Sequence, residues 1–370
     1  MPISIVTGGA AFHEKIKICL WQFNGMHCEL ILGREHVYGG MELDLKNIEE
    51  RYGFKIHSLE QSKNIYKART DQGVKCIKRA HMSPSYFQYI HSAVEYLYNK
   101  GFEGVIPYNS CLDGGICVEE DQYIYYVVDW VESRECKFKN PGDLEAIIRT
   151  AADFHRATQG YRLPETAKPR VFYNKWTSKF DRKCAEMLEF GEAIKAKETM
   201  DEFDGIFAKH IEHFWQQGKD SIQLLNQSAY SRISMESQEK GEFCHHDMAN
   251  HNFIRTAEEK IYLIDFDYSI MDTRLHDVAS LVIRNMRHGV WEIDRAYDIL
   301  DQYSRHYTLS DEDIGVIKAF MVFPQDYWQV GLQYYVEHQP WTMEYFLSRL
   351  NRVIDDIALR EDFLKEFLEI

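Results

Sequence analysis

Residues 243–277, FCHHDMANHNFIRTAEEKIYLIDFDYSIMDTRLHD, constrain this chain more than any other stretch. They open on a loop, His245-His246-Asp247-Met248-Ala249-Asn250-His251-Asn252. Two apolar runs follow, 252–255 and 261–266, with the polar 256–260 between them, and this pattern predicts a hairpin of two short strands. The second run carries Asp265, with Asp267 two residues on. A hairpin returns its ends to one side, so Asp247, Asn252 and Asp265 are expected to converge. Phosphoryl transfer from a nucleotide asks for such a group: an aspartate to take the proton of the attacking hydroxyl, and an Asn/Asp pair to hold magnesium on the phosphates. The spacing agrees, because Asn252 stands five residues after Asp247, as in an H-R-D-x-x-x-x-N loop, and the second acid follows in a strand. Asp247 is therefore the expected catalytic residue, and Asn252 and Asp265 the expected metal ligands. A transition-metal site from His245, His246, His251 and Asp247 is the rival, and it lacks the i, i+4 arrangement of H-E-x-x-H. Asp277, at the head of the next helix, is expected to cap that helix or to anchor the loop.

The chain before this stretch reads as strands, then helices. Residues 15–23 and 26–32 flank Asn24-Gly25, a hairpin signal. Residues 1–40 are nevertheless read as an extension, with a hairpin added to a neighbouring sheet as the alternative. A short helix over 42–52 ends at Gly53, and strands are expected at 55–59, 65–69 and 74–78. The third strand ends Lys75-Cys76-Ile77-Lys78, like the V-A-I-K strand whose lysine meets the α/β phosphates, so Lys78 is the expected phosphate lysine. Ser83 and Pro84 open a helix to Asn99, on which Glu95 is the expected partner of Lys78. Strands at 116–119 and 123–128 lead into Asp129-Trp130-Val131-Glu132, where Asp129 and Val131 are expected to meet the nucleotide base. From Asn140 the period becomes helical, and the aromatic residues at helical spacing over 178–227 are expected to be core. Helices are expected at 278–288, 293–306, 311–320, 324–337 and 341–369. One feature disagrees with phosphate binding: the turn Glu60-Gln61-Ser62-Lys63-Asn64 contains no glycine.

Composition excludes several classes. A formal net charge of -15 argues against nucleic acid or an anionic membrane surface as partner. It leaves room for a nucleotide held by a local cationic patch and a metal. The eight cysteines form no C-x-x-C pair, so no zinc or disulfide framework is expected and a reducing compartment is. No apolar run reaches membrane-spanning length, and synthesis and folding in the cytosol are expected. The acidic residues Asp129, Glu132 and Glu135 are read as a solvated edge rather than as a site for a cationic substrate.

With these residues stated, the chain resembles the aminoglycoside-phosphotransferase-like branch of the protein-kinase-like superfamily. More narrowly it resembles the CotS family of spore coat proteins, over about 45–368. CIKRA around Lys78, YVVDWVESRE, ADFHRATQGY, FCHHDMANHNF, and IYLIDFD with HDVASL carry the likeness. The resemblance implies an α+β fold of two lobes, a small antiparallel sheet over 41–130 and a mainly helical lobe over 131–370. It implies ATP and Mg2+ between the lobes, a hydroxyl acceptor that is a small molecule or a coat component, and association with other spore coat proteins after synthesis in the mother cell. A kinase-fold coat protein that catalyses nothing is the alternative.

Overall fold

Alternation within one strand decides which way the N-terminal sheet faces. In the computed structural model, which describes Glu29–Leu30, 45–287 and 289–369, the chain builds β1 (Glu29–Leu30), α1 (Leu45–Tyr52), β2 (Ile56–Ser62), β3 (Ile65–Thr70), β4 (Gly73–Ala80), α2 (Pro84–Asn99), β5 (Val118–Glu120) and β6 (Tyr123–Asp129). These strands form one antiparallel sheet in the order β1-β2-β3-β4-β6-β5. Ile77 of β4 joins Leu59, Tyr66, Ala68 and Val127 on a face covered by Ile48 and Tyr52 of α1. Lys78 and Ala80 fall on the opposite face, where Ala80, Ile124 and Tyr126 join the larger core shared with α2 and the helical lobe. Side chains alternate across a strand, so the lysine is aimed at the other lobe by the same pattern that buries Ile77 outward. The expected hairpin over 15–32 lies outside the described residues apart from Glu29–Leu30, whose backbone pairs with Leu59 and Glu60 at the sheet edge.

Helix starts follow local chemistry. Ser83 accepts from Tyr86 N to open α2, and Asn140 accepts from Asp143 N to open α3 (Pro141–Thr158); such caps contribute about 1 kcal/mol each. Between them β7 (Arg134–Glu135) pairs with β8 (Phe253–Arg255), which pairs with β9 (Ile261–Leu263). Buried Asp143 ties this small sheet to α3: it accepts twice from Arg134 and once from Arg255, each at 2.8 Å, and from Lys137 N at 3.0 Å. Those bonds outweigh burial and hold its pKa well below the usual carboxylate range.

The helical lobe continues with α4 (Trp176–Lys195), α5 (Glu202–Gln227) and α6 (Tyr230–Lys240), then α7 (Leu275–Met286), α8 (Ile293–His306), α9 (Asp311–Val322), α10 (Gln325–Tyr335), α11 (Met343–Asp355) and α12 (Ile357–Glu369). As expected from their spacing, Phe180, Phe190, Phe203, Phe207 and Phe214 are core. Phe207 and Phe214 stack on Tyr327 of α10 at 4.3 and 4.1 Å between centroids. The single segment expected over 341–369 is two helices meeting at Asp356. Its carboxylate accepts from Gly289 N and Trp291 Nε1, at 2.9 and 3.0 Å. The six described cysteines form no disulfide, and no described helix is long and apolar enough to cross a membrane.

Candidate active site

The loop 241–252 is entered through a glycine that nothing else can replace. Gly241 ends α6 at φ +68, and a Cβ there would collide with the Tyr161 carbonyl oxygen. His246 also lies in the left-handed region, at φ 72, a conformation that persists only where the surroundings hold it. Asp277 in the first turn of α7 does the holding. Fully buried, it accepts from His245 N at 2.7 Å and His246 N at 2.9 Å, and its Oδ2 lies 3.2 Å from His155 Nε2. Burial alone would raise its pKa, but His155 and His276, whose Nδ1 lies 3.5 Å from Oδ1, prevail and keep it far below the usual range. His155 is held in turn by Tyr303 at 2.9 Å. Of the two expectations for Asp277, the anchor is the one the geometry supports.

Three groups from different elements meet above this anchor. Asn252 Nδ2 donates to the Asp247 carbonyl at 2.9 Å and to Asp247 Oδ2 at 3.0 Å. Asn252 O accepts from Ile264 N at 2.9 Å, which seats the adjoining Asp265 beside the loop. Asp265 adopts φ 67, turning its carboxylate across the cleft, where Oδ1 accepts from Lys78 Nζ at 2.6 Å. Lys78 is buried and also reaches Asp267 Oδ2 at 2.9 Å. Burial opposes its charge, but the two carboxylates win and raise its pKa far above the ordinary lysine value. Lys78 in turn holds Asp265 below the usual carboxylate range against burial, while burial pushes Asp267 up.

Asn252 and Asp265 each keep one oxygen outside these bonds. Asn252 spends its amide nitrogen on Asp247, leaving Oδ1, and Asp265 spends Oδ1 on Lys78, leaving Oδ2. Magnesium is commonly held by one or two such hard oxygens together with substrate phosphates and waters. No group of three His, Cys, Asp or Glu arranged for a metal occurs among the described residues. Two of the three histidines of the rival site are engaged elsewhere: His245 Nε2 meets Ile264 O at 2.9 Å and His246 stacks on His276.

Other expected residues stand apart from this cluster. Glu95 does not reach Lys78; its side chain is 63% exposed and its nearest ionic neighbour is His91 at 3.9 Å. The reason lies in α2, whose inner face is aromatic. Phe87 stacks on Tyr126 at 4.9 Å and His91 on Tyr108 at 5.4 Å, so rings fill the space a carboxylate would need. Asp267, two residues past Asp265, supplies Lys78's second carboxylate and accepts from Tyr126 at 2.7 Å. The Asp129 carboxylate pairs with Lys75 at 2.5 Å on the sheet face opposite Lys78, which leaves only its backbone to the cleft. The Val131 carbonyl accepts from Ser133 at 3.1 Å. The glycine-free turn is two residues long, because Ser62 pairs with Ile65, and Asn64 is bonded twice to Arg79. Arg284 of α7 was invisible to motif reading. It donates to Asp247 Oδ1 at 2.6 Å, and no sequence signal marks it, since its target is a loop 37 residues away.

The chain is similar to Spore coat protein S of Bacillus subtilis (strain 168), 26% identical over 320 residues, which is 85% of this chain and 90% of that protein. It superposes on the crystal structure of an aminoglycoside phosphotransferase from Alicyclobacillus acidocaldarius with a TM-score of 0.76 at 19% identity, covering 90% of this chain and 97% of the other. Amicoumacin kinase hAmiN, solved with AMP-PNP, Ca2+ and Ami, gives a TM-score of 0.58 at 15% identity, covering 87% of this chain and 92% of the other. The fold is therefore that of the protein-kinase-like enzymes, with a sheet lobe and a mainly helical one. The sequence model described as "Spore coat putative kinase YutH" matches residues 45–367, and the chain belongs to that family of kinase-like spore coat proteins.

Proposed function

We propose that this protein is an ATP- and Mg2+-dependent phosphotransferase of the spore coat, acting on a hydroxyl of a small molecule or of a coat component. The observation that carries the reading is the ion pair between Lys78 and Asp265 across the two lobes, beside an Asp247 already bonded to Asn252. Lys78 neutralises phosphate charge from the sheet lobe, Asn252 and Asp265 hold the metal through their remaining oxygens, and Asp247 takes the acceptor's proton. The bound Mg2+-nucleotide supplies the phosphoryl group and part of the charge neutralisation. The acceptor oxygen forms a bond to the γ-phosphorus, the bond from that phosphorus to the β–γ bridging oxygen breaks, the proton passes to Asp247, and ADP leaves. The backbone from Asp129 to Val131, where β6 ends, is the segment we assign to the nucleotide base.

The glycine-free turn favours a second reading, a coat protein that keeps the fold without catalysis. Nucleotide binding separates the two. Mg-ATP is expected to raise the melting temperature of the wild type, by the equivalent of about 2.7 kcal/mol at a hundredfold excess over Kd. Asp265→Ala is expected to lose that shift. An unshifted wild type at millimolar Mg-ATP leaves only the scaffold.

A further inference from the structure

The helical face next to Asp247 carries cations that phosphate transfer leaves unused. Lys179 and Lys183 stand four residues apart, on one face of α4. Lys179 Nζ lies 3.5 Å from the centroid of the Phe172 ring, which packs edge-on against His246 at 6.0 Å. Lys183 Nζ lies over Trp328 at 4.3 Å and donates to Gln325 Oε1 at 2.6 Å. Asp326, next on α10, pairs with Arg287 at 2.9 Å, and Arg284, one turn back, pairs with Asp247 at 2.6 Å. Contacts and chain adjacency together close a circuit: Asp247 adjoins His246, whose ring meets Phe172 and through it Lys179; Lys183, one turn on, meets Gln325 beside Asp326, and Asp326 and Asp247 pair with arginines one turn apart.

Charge decides what such a circuit can hold. Among the described residues, neither Lys179 nor Lys183 forms an ion pair with a carboxylate. Glu186, three residues beyond Lys183, is taken by Arg182 and Trp328 Nε1, and the circuit's own carboxylates, Asp247 and Asp326, have arginine partners. Burial, and then Arg182, push the Lys179 pKa down to about 8; burial, and then Lys179, push Lys183 down to about 7. Burying neighbouring ammonium groups without an opposite charge is costly, and a bound anion removes that cost. A chain of net charge -15 has carboxylates in excess, yet Glu186, Asp247 and Asp326 here are each paired with an arginine.

We propose that the phosphoryl acceptor is an anion, a hydroxyl compound bearing a carboxylate or phosphate group, held by Lys179 and Lys183 with its hydroxyl directed at Asp247. The hydroxyl half of this statement rests on the phosphotransferase reading, and the anion half rests on the lysines. An amine-bearing acceptor would meet repulsion on the same face.

Inorganic phosphate, malonate and ethanolamine, at matched ionic strength, are the probes, read by thermal shift with Mg-ATP shifts measured in parallel. Phosphate or malonate is expected to raise the melting temperature of the wild type, and ethanolamine to leave it unchanged. A response to phosphate alone assigns a phosphate-bearing acceptor, and a response to malonate alone a hydroxy acid. The double variant K179M/K183M is expected to lose the anion shift while keeping the Mg-ATP shift, which also shows that it folds. Without anion, K183M is expected to melt no lower than wild type, since an apolar chain relieves the repulsion. The proposal is overturned if neither anion shifts the wild type, if the double variant keeps the anion shift, if ethanolamine shifts instead, or if K183M melts far lower. Should the double variant fail to fold, K179Q, altered at a half-buried position, decides by the same loss or retention. Loss of the Mg-ATP shift alone defeats the phosphotransferase reading and leaves the anion result standing.

Discussion

Asp277→Ala is expected to destabilise the protein by about 3–5 kcal/mol, the range for removing one member of a buried charged network. The carboxylate accepts the N–H groups of His245 and His246 and lies against His155, in a place closed to solvent. Alanine leaves two buried N–H donors unpaired, at about 1–3 kcal/mol each, and nothing to restrain His246 at its positive φ. The denaturant midpoint is the measurement, with an unchanged slope showing that stability rather than compactness has moved. A midpoint within error of wild type would sink the anchoring account. The same group sets an acid limit. The folded pKa of Asp277, like that of Asp143, lies below its unfolded value, so the stability both contribute is present above about pH 4 and is lost as pH falls below it. An acid titration followed by circular dichroism is expected to show that loss, with a shallower slope in Asp277→Asn.

Asp247→Asn is expected to lower phosphoryl transfer by about 10²–10⁴-fold, the usual contribution of a positioned base, while keeping the Mg-ATP thermal shift. Asparagine keeps the shape of the side chain but cannot take the proton. The carboxylate's two oxygens are held by different residues, Oδ2 by Asn252 and Oδ1 by Arg284, so the variant also leaves a half-buried guanidinium without its anion. Melting of the variant therefore accompanies the rate measurement. A rate equal to wild type, at equal stability, would remove Asp247 from the chemistry and move the role to another group.

The residues that could be read from the sequence are those whose geometry is set locally. Asp247 and Asn252 are five residues apart in one loop, and a hairpin with a short turn must bring Asp265 back beside them. Ser83 and Asn140 announce their helices because a cap bonds to a backbone N–H three residues on. The strand carrying Lys78 was legible for the same reason, since period-two alternation places Ile77 and Lys78 on opposite faces, although it runs on to Ala80. Where a choice depended on packing between distant elements, local pattern was silent or misleading. Glu95 has the right charge on the right helix, but stacked rings on α2 close its route to Lys78, and Asp267 takes that position. The two-residue strand β7 has no pattern of its own and exists because β8 pairs with it.

Local spacing therefore determined the loop, the hairpin and the strand lysine, because hydrogen bonding over a few residues leaves few alternatives, while the two-lobed fold was what the family resemblance implied. Tertiary structure alone decided which carboxylates meet Lys78, which arginine meets Asp247, and which rings and amide Lys179 and Lys183 pack against. Those are Coulombic and steric outcomes between side chains as far apart in sequence as Lys78 and Asp267, and their energy depends on a burial and a separation that no local period encodes.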